Sequence, residues 1–444
     1  MKPESDPDDG NDAGAPPRRS SRSLLEWIGP GILVAATGVG AGDLAGGALA
    51  GAKLKLAVLW VVIVGAALKY ALCEGLARWQ LKSGLSVSDG VFRSSAPVVR
   101  FLFLAYVAVW SFCIGGMLMS ACGECAQAIL PIGSTATGRI IHGCLQSMVA
   151  ILLVLIGGFR LFERLMAVCI ALMFLTVVTV AVLSAPAWGE VVRGLVFPSV
   201  PDADGRGIAW TMTLMAGVGG TLTMLCYGSW IREKGRRDET SLNLCRIDLA
   251  AGYLMTAVFG ISMVILGSRL PVNPTLSGAN LITQLADDMQ PHLADWGPLA
   301  GWLFRLGAWG AVFSSLLGVW QSVPALIEEM LPDVPSGPDV PSGPDQVADL
   351  RRYRVLLVLL GTLPALCLPF SLAAIQKVAG VTGALFLPMF ALALLLLPLT
   401  ADGRRTKFRN GRLSQTILML CLLLFGFLAA QKLTATVMSV AFFG

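Results

Sequence analysis

The chain has 444 residues, of which 55% are hydrophobic and 14% charged, with a net charge of +5 and a mean hydropathy of +0.72. Soluble domains carry roughly one-quarter charged residues, so this composition excludes a soluble globular protein and describes a polytopic membrane protein. The modest positive charge gives no reason to invoke a nucleic-acid partner.

Residues 1–22 are polar, proline-containing and acidic before the basic cluster Arg18, Arg19 and Arg22. They read as a disordered cytoplasmic tail without a cleavable signal peptide. Apolar runs of about 20 residues match hydrocarbon thickness at 1.5 Å rise per residue. About eleven such runs follow, near 24–50, 54–81, 99–130, 139–158, 161–185, 208–231, 245–269, 298–330, 354–371, 377–400 and 413–443. The eighth is long enough to be split, and Arg305 lies inside it.

The first span contains ATGVGAGDLAGGALAG, residues 36–51, with six glycines and the acid Asp43. An acid inside a membrane costs roughly 2.5–3.5 kcal/mol on insertion scales and is a functional-site hypothesis by default. Glycine permits unwound dihedrals and close approach of a ligand to the backbone. Irregular backbone at that depth is tolerated where it is buried in protein or lines a wet cavity. Asp43, Gly38 and Gly40 are therefore candidates for binding a cation, with a buried structural acid satisfied by amides at the broken helix, or by a partner lysine such as Lys69, as the alternative.

Lys69 and Glu74 in the second span and Glu124 in the third are further intramembrane charges. Glu124 and Lys69 could form a proton or coupling pathway; a structural ion pair or helix-packing hydrogen bond is equally open. Cys122 and Cys125 form a CxxC that reads as helix packing. The histidines, His142 and His292, lack ligand-like neighbours, so no resident cofactor is expected.

The sixth span repeats the device of the first, in MAGVGGTLTMLCYGSW, residues 215–230. Gly220, Thr223 and Met224 lie at its centre, and Thr221 and Tyr227 add hydroxyls. Interrupted helices at corresponding points of two halves mark an inverted-repeat transporter with its site near the midplane. Repeat one then covers 23–185, repeat two 208–400, and an extra helix 413–443, within a single transmembrane domain over 23–444. Gln321 in the eighth span supplies an amide, and the tenth span is expected to be interrupted at Thr382 and Gly383. The loop 331–352 contains DVPSGP twice in tandem, which predicts an extended cytoplasmic connector. With a cytoplasmic N-terminus, about 23 of the 33 Lys and Arg fall inside, which predicts N-terminus in and C-terminus out.

The stretch WIGPGILVAATGVGAGDLAGGALAGAKLKLAVLW, residues 27–60, resembles the first helix of the Nramp divalent-metal transporters. The GPG at Gly29 to Gly31, LAGAK and Leu59-Trp60 carry the likeness. It extends more faintly over nearly the whole chain, through Lys82-Ser83-Gly84, Glu124 and Gln321. The resemblance implies an all-α LeuT-type fold, with helices one to five and six to ten as a 5+5 inverted repeat, an eleventh helix, and helices 1 and 6 unwound at the midplane. It also implies where this chain departs. The family's DPGN falls on Gly40-Ala41-Gly42-Asp43, its MPH on Thr223-Met224-Leu225, and the acid upstream of the helix-three glutamate on Ala121.

Loss of the aligned thioether removes a bias toward transition metals, because soft ligands favour them and oxygen ligands suit magnesium, calcium and manganese. The changed acids and the missing histidine make proton coupling doubtful. The expected function is a secondary transporter moving a divalent cation by alternating access, with Asp43 and Thr223 as metal contacts and altered ion selectivity. The alternatives are a carrier of a small organic cation or amino acid, and a non-transporting sensor or accessory subunit. No enzymatic motif is present. The expected partners are a small cation and the lipid bilayer, with no obligatory protein partner, in a bacterial-type plasma membrane.

Overall fold

The computed structural model describes residues 29–92, 95–201, 207–270, 283–287, 297–331 and 350–441. The tail 1–22, the DVPSGP connector, His292 and the extreme ends of the first and last spans lie outside the described residues.

The first span is two helices, α1 (Pro30–Gly38) and α2 (Ala41–Leu54), separated at Val39 and Gly40. Pro30 occupies the first position of α1, where its missing N–H is no loss. A short 3₁₀ turn leads to α3 (Leu59–Ser83), the second span. It stops at Gly84, whose left-handed φ of +72° lets its amide reach the Gln80 carbonyl at 2.8 Å. A short α4 (Val87–Phe92) precedes α5 (Pro97–Ile129), the third span.

The fourth and fifth spans form one helical run, α6 (Thr135–Leu183), instead of two helices joined by a loop. Its 49 residues would reach about 74 Å if straight, more than twice the hydrocarbon thickness. Gly158, at φ 58° and ψ −177°, breaks the run at a single residue, in a conformation essentially restricted to glycine. After α7 (Trp188–Val196), the sixth span is again two helices, α8 (Gly207–Gly217) and α9 (Cys226–Glu233), joined through Gly219, Gly220 and a 3₁₀ turn.

The seventh span is α10 (Leu242–Ser268) and the eighth is α11 (Gly297–Glu329). The expected split of the eighth does not occur: α11 is continuous, and Arg305 is neutralised by Asp287 at 2.9 Å. The ninth span is α12 (Leu350–Thr362) continued by a 3₁₀ turn. The tenth is α13 (Leu372–Leu396), followed by the short α14 (Ala401–Arg405) and the eleventh span, α15 (Arg412–Ala441). The expected interruption at Thr382 and Gly383 is also absent. The Thr382 hydroxyl donates to Ala379 O at 3.0 Å, satisfying itself within the helix.

Among the described residues, eight helical stretches are long and apolar enough to cross a membrane. Two of them, Gly42–Ser83 and Thr135–Leu183, each contain parts of two of the expected spans, and α12 is too short to register alone. The molecule is an integral membrane protein. Its outer surface is apolar, with Ile156, Leu175, Phe101 and Leu423 exposed. The central element is α11: 94% of its apolar window is buried, against 28% for α15. It packs on α1, α5 and α6, while α10 lies along α1, α2 and α3. Small residues allow that closeness, as a Cβ on Gly252 would lie 2.2 Å from Gly31 O and one on Gly267 2.1 Å from Ala48 O.

Candidate substrate site at two broken helices

The breaks in the first and sixth spans face each other. A Cβ on Gly38 would lie 2.6 Å from the Gly219 carbonyl carbon, and one on Gly220 would lie 3.0 Å from Gly38 Cα. Gly219 and Gly220 have φ of +76° and +80°. Glycine is therefore required twice over, by the left-handed backbone and by contact between two main chains.

Breaking a helix strands carbonyls at the end of one half and amides at the start of the next. Serines of α11 meet the first set: Ser315 Oγ donates to Val39 O at 3.0 Å and to Ala36 O at 3.3 Å, and Ser314 Oγ donates to Ala36 O at 3.3 Å. Asp43 meets the second set. It lies in the first turn of α2, where the helix dipole favours an anion. Its Oδ1 accepts from the Gly219 amide at 3.2 Å, so one carboxylate bridges both breaks. Its Oδ2 is buried without a hydrogen-bond partner among the described residues.

Lys69 enters from α3 with its side chain fully buried. Its ammonium donates to Ala216 O at 2.8 Å and to Gly220 O at 2.6 Å, closing the C-terminal end of α8. Its charge also acts on the Asp43 carboxylate. Thr223 is buried beside them, with its Oγ1 2.8 Å from where a Gly220 Cβ would stand. A Cβ on Gly383 would lie 3.4 Å from Thr221, so the tenth span backs the sixth-span break even though it is unbroken.

Asp43, Gly38, Gly40, Gly220, Thr223 and Lys69 are thus brought together. Met224 lies beside Thr223 in the 3₁₀ turn of the sixth-span break, with no exposed surface. Gln321 and Glu124 are not at this centre. Gln321 lies about 9 Å along α11 from Ser315, its Oε1 accepting from Trp230 Nε1 at 3.0 Å and its carbonyl from Tyr353 at 2.9 Å. Glu124 lies beyond Leu118, the α5 residue facing Gly40, and pairs with Arg139 at 3.4 Å. Glu74 is held by Arg246 at 2.8 Å. Cys122 and Cys125 are both buried in the core as free thiols.

Sequence reasoning missed the two serines that complete the break, although the SS pair in GAVFSSLLG was a polar signal on an otherwise apolar helix. It also missed Asp248. That carboxylate accepts from the Gly31 amide at 2.8 Å and from Arg236 at 2.9 Å, fixing the start of α1 to α10 and to the segment after α9. Arg236 and Asp248 are twelve residues apart and give no local pattern.

Comparison with known proteins agrees with this architecture. The manganese transporter of Eremococcus coleocola, crystallised with an aromatic bis-isothiourea substituted compound, superposes with a TM-score of 0.73 at 17% identity, covering 95% of this chain and 88% of that one. MhsT in complex with L-phenylalanine superposes with a TM-score of 0.61 at 15% identity, over 91% of this chain and 97% of that one. The chain has the LeuT-type fold.

In sequence, the divalent metal cation transporter MntH of Verminephrobacter eiseniae is 24% identical over 264 residues, 56% of this chain and 57% of that one. Metal transporter Nramp3 of Oryza sativa is 26% identical over 196 residues, 44% of this chain and 35% of its own length. The chain spans about half the length, or less, of the curated relatives it matches. The profile of the natural resistance-associated macrophage protein-like family matches residues 31–435, nearly the whole chain. The paired helix breaks, the LeuT-type fold and that match lead to one assignment: the chain belongs to the natural resistance-associated macrophage protein-like family.

Proposed function

We propose that this protein is a secondary transporter that moves a divalent metal cation across a bacterial-type plasma membrane by alternating access, with the two helix breaks as its binding site. The observation that carries this reading is the bridge from Asp43 to the Gly219 amide. It leaves the second carboxylate oxygen of Asp43 buried without a hydrogen-bond partner among the described residues, where the two unwound segments touch. Oxygen donors of that kind suit hard cations. The relatives named as divalent metal cation transporters support the substrate class. Transport is the function and no chemical step is assigned; the cation is the cargo, and no further protein partner is invoked.

Asp43 supplies the negative charge, Gly38, Gly40 and Gly220 let the backbone serve as ligand, and Thr223 offers a hydroxyl in place of a soft donor. Selectivity shifts accordingly toward ions that accept an all-oxygen site. The basic loops put the N-terminus in the cytoplasm and the end of the eleventh span outside.

Uptake of Mg, Mn, Ca and Co ions into vesicles reconstituted with the full chain tests the reading. At least one ion is expected to enter well above the empty-vesicle rate, and Asp43→Asn is expected to lower that rate at least tenfold at normal expression. If all four ions enter only at the empty-vesicle rate, the divalent reading is lost.

A second reading is favoured by one observation: the sixth-span break holds a carboxylate on the Gly219 amide and an ammonium on the Ala216 and Gly220 carbonyls, and a buried centre with both charges is complementary to a zwitterion. A small amino acid would then be the cargo. Thermal unfolding with each ligand class separates the two, because a ligand that binds only the folded state raises apparent stability.

A further inference from the structure

The carbonyl end of a broken helix is a place for a cation. In α8 that end already holds one. The Lys69 ammonium sits between Ala216 O at 2.8 Å and Gly220 O at 2.6 Å, at the negative pole of the α8 half-helix. Asp43 sits at the positive pole of the α2 half-helix and feels the Lys69 charge. Both side chains are buried, Lys69 completely and Asp43 to within 4% of full burial. Gly38 and Gly220 touch main chain to main chain beside them. Each pole of the centre therefore already carries its compensating charge.

We infer that Lys69 is a tethered stand-in for the transported cation: its ammonium occupies the carbonyl cradle at the sixth-span break, and substrate binds only by displacing it. The inference rests on the reading that the paired breaks bind the cargo, and it adds how that site is closed at rest and what sets its affinity. A dication placed beside Asp43 with Lys69 still seated would meet a like charge in a low-dielectric interior, where repulsion is poorly screened. The lysine must swing out as the ion enters, so it acts as an intramolecular competitor. It raises the concentration of ion needed for binding, and it refills the cradle after the ion leaves, which keeps the empty site closed.

A lysine that merely capped α8 would behave differently. Removing a cap loosens the helix end and weakens whatever binds there, whereas removing a competitor strengthens binding. Lys69→Met, which keeps the length and removes the charge, separates the two by the sign of its effect.

Manganese binding to the purified full chain, measured by titration calorimetry, is expected to be at least tenfold tighter in Lys69→Met than in wild type. The apparent KM for manganese entry into vesicles is expected to fall by a similar factor, and Asp43→Asn added to Lys69→Met should cancel the gain. A folded Lys69→Met protein with equal or weaker affinity overturns the inference.

Should Lys69→Met fail to fold, the wild-type protein carries the test. Labelling of Lys69 by a small amine-selective reagent, read by mass spectrometry, should rise at least threefold at saturating manganese. Unchanged labelling with manganese bound overturns the inference. The underlying reading fails separately. If wild type moves manganese and Lys69→Met gains nothing, only the tethered-cation inference falls. If wild type and Lys69→Met both neither bind nor move any of the four divalent ions, both fall, and tighter amino-acid binding by wild type than by Lys69→Met would then identify a zwitterion site.

Discussion

A charged residue survives in hydrocarbon only when its charge is met by fixed partners, because desolvation otherwise outweighs what it gains. Asp43 and Lys69 show how few partners suffice when backbone ends are recruited. The acid takes an amide from one broken helix, and the lysine takes two carbonyls from the same break. The glycines that allow this have no slack. Gly38→Ala pushes a methyl to within 2.6 Å of Gly219, and Gly220→Ala places one 3.0 Å from Gly38. Each is expected to cost about 1–3 kcal/mol by overpacking, with strain at Gly220 added. Thermal unfolding in detergent measures both. Because the two substitutions press on one contact, the double variant should depart from additivity. Full additivity would mean that the breaks do not touch as described.

At the scale of elements, the first span is divided into parts with different anchorage. Both halves pack along α10, and the start of α1 is in addition tied by one carboxylate: Asp248 accepts from Gly31 and is itself held by Arg236 at 2.9 Å. Neighbouring ion pairs, Arg232 with Glu329 at 2.7 Å and Lys234 with Glu163, fasten the end of α9 to α11 and α6. These contacts are polar and lie at one end of the bundle, which suits a closure that must open and reform. Asp248→Ala is expected to release α1 locally while leaving α11 intact. Hydrogen exchange followed by mass spectrometry should show the amides of residues 31–38 exchanging at least tenfold faster, with those of 305–325 unchanged. Equal protection in the variant would show that the apolar contacts of α1 hold it unaided.

For the whole molecule, orientation is the property that charge decides. The exposed Arg404, Lys407 and Arg409 follow the tenth span, and the paired Arg232, Lys234 and Arg236 follow the sixth. The proposed orientation, with the side richer in lysine and arginine facing inward, puts these loops in the cytoplasm. Trypsin should therefore cut at 404–409 in inside-out vesicles and spare that loop in right-side-out ones. The reverse pattern would invert the proposed topology.

The composition and the lengths of the apolar runs determined by themselves that this is a many-helix membrane protein. The two glycine-rich interruptions, with one acid, located its centre. Those features are legible because hydrocarbon imposes a length on each span and a penalty on each charge, and both are local. Tertiary structure alone decided which polar groups meet. Lys69 could be recognised as costly from its position, but its carbonyl partners are 147 and 151 residues away. Ser315 and Asp248 reach their targets across similarly long separations. The continuity of α11 also came from packing against helices distant in sequence, whereas the Thr382 bond to Ala379 O within α13 is local. Partner choice depends on how helices cross, and a helix's own residues fix its length and its faces without fixing its neighbours.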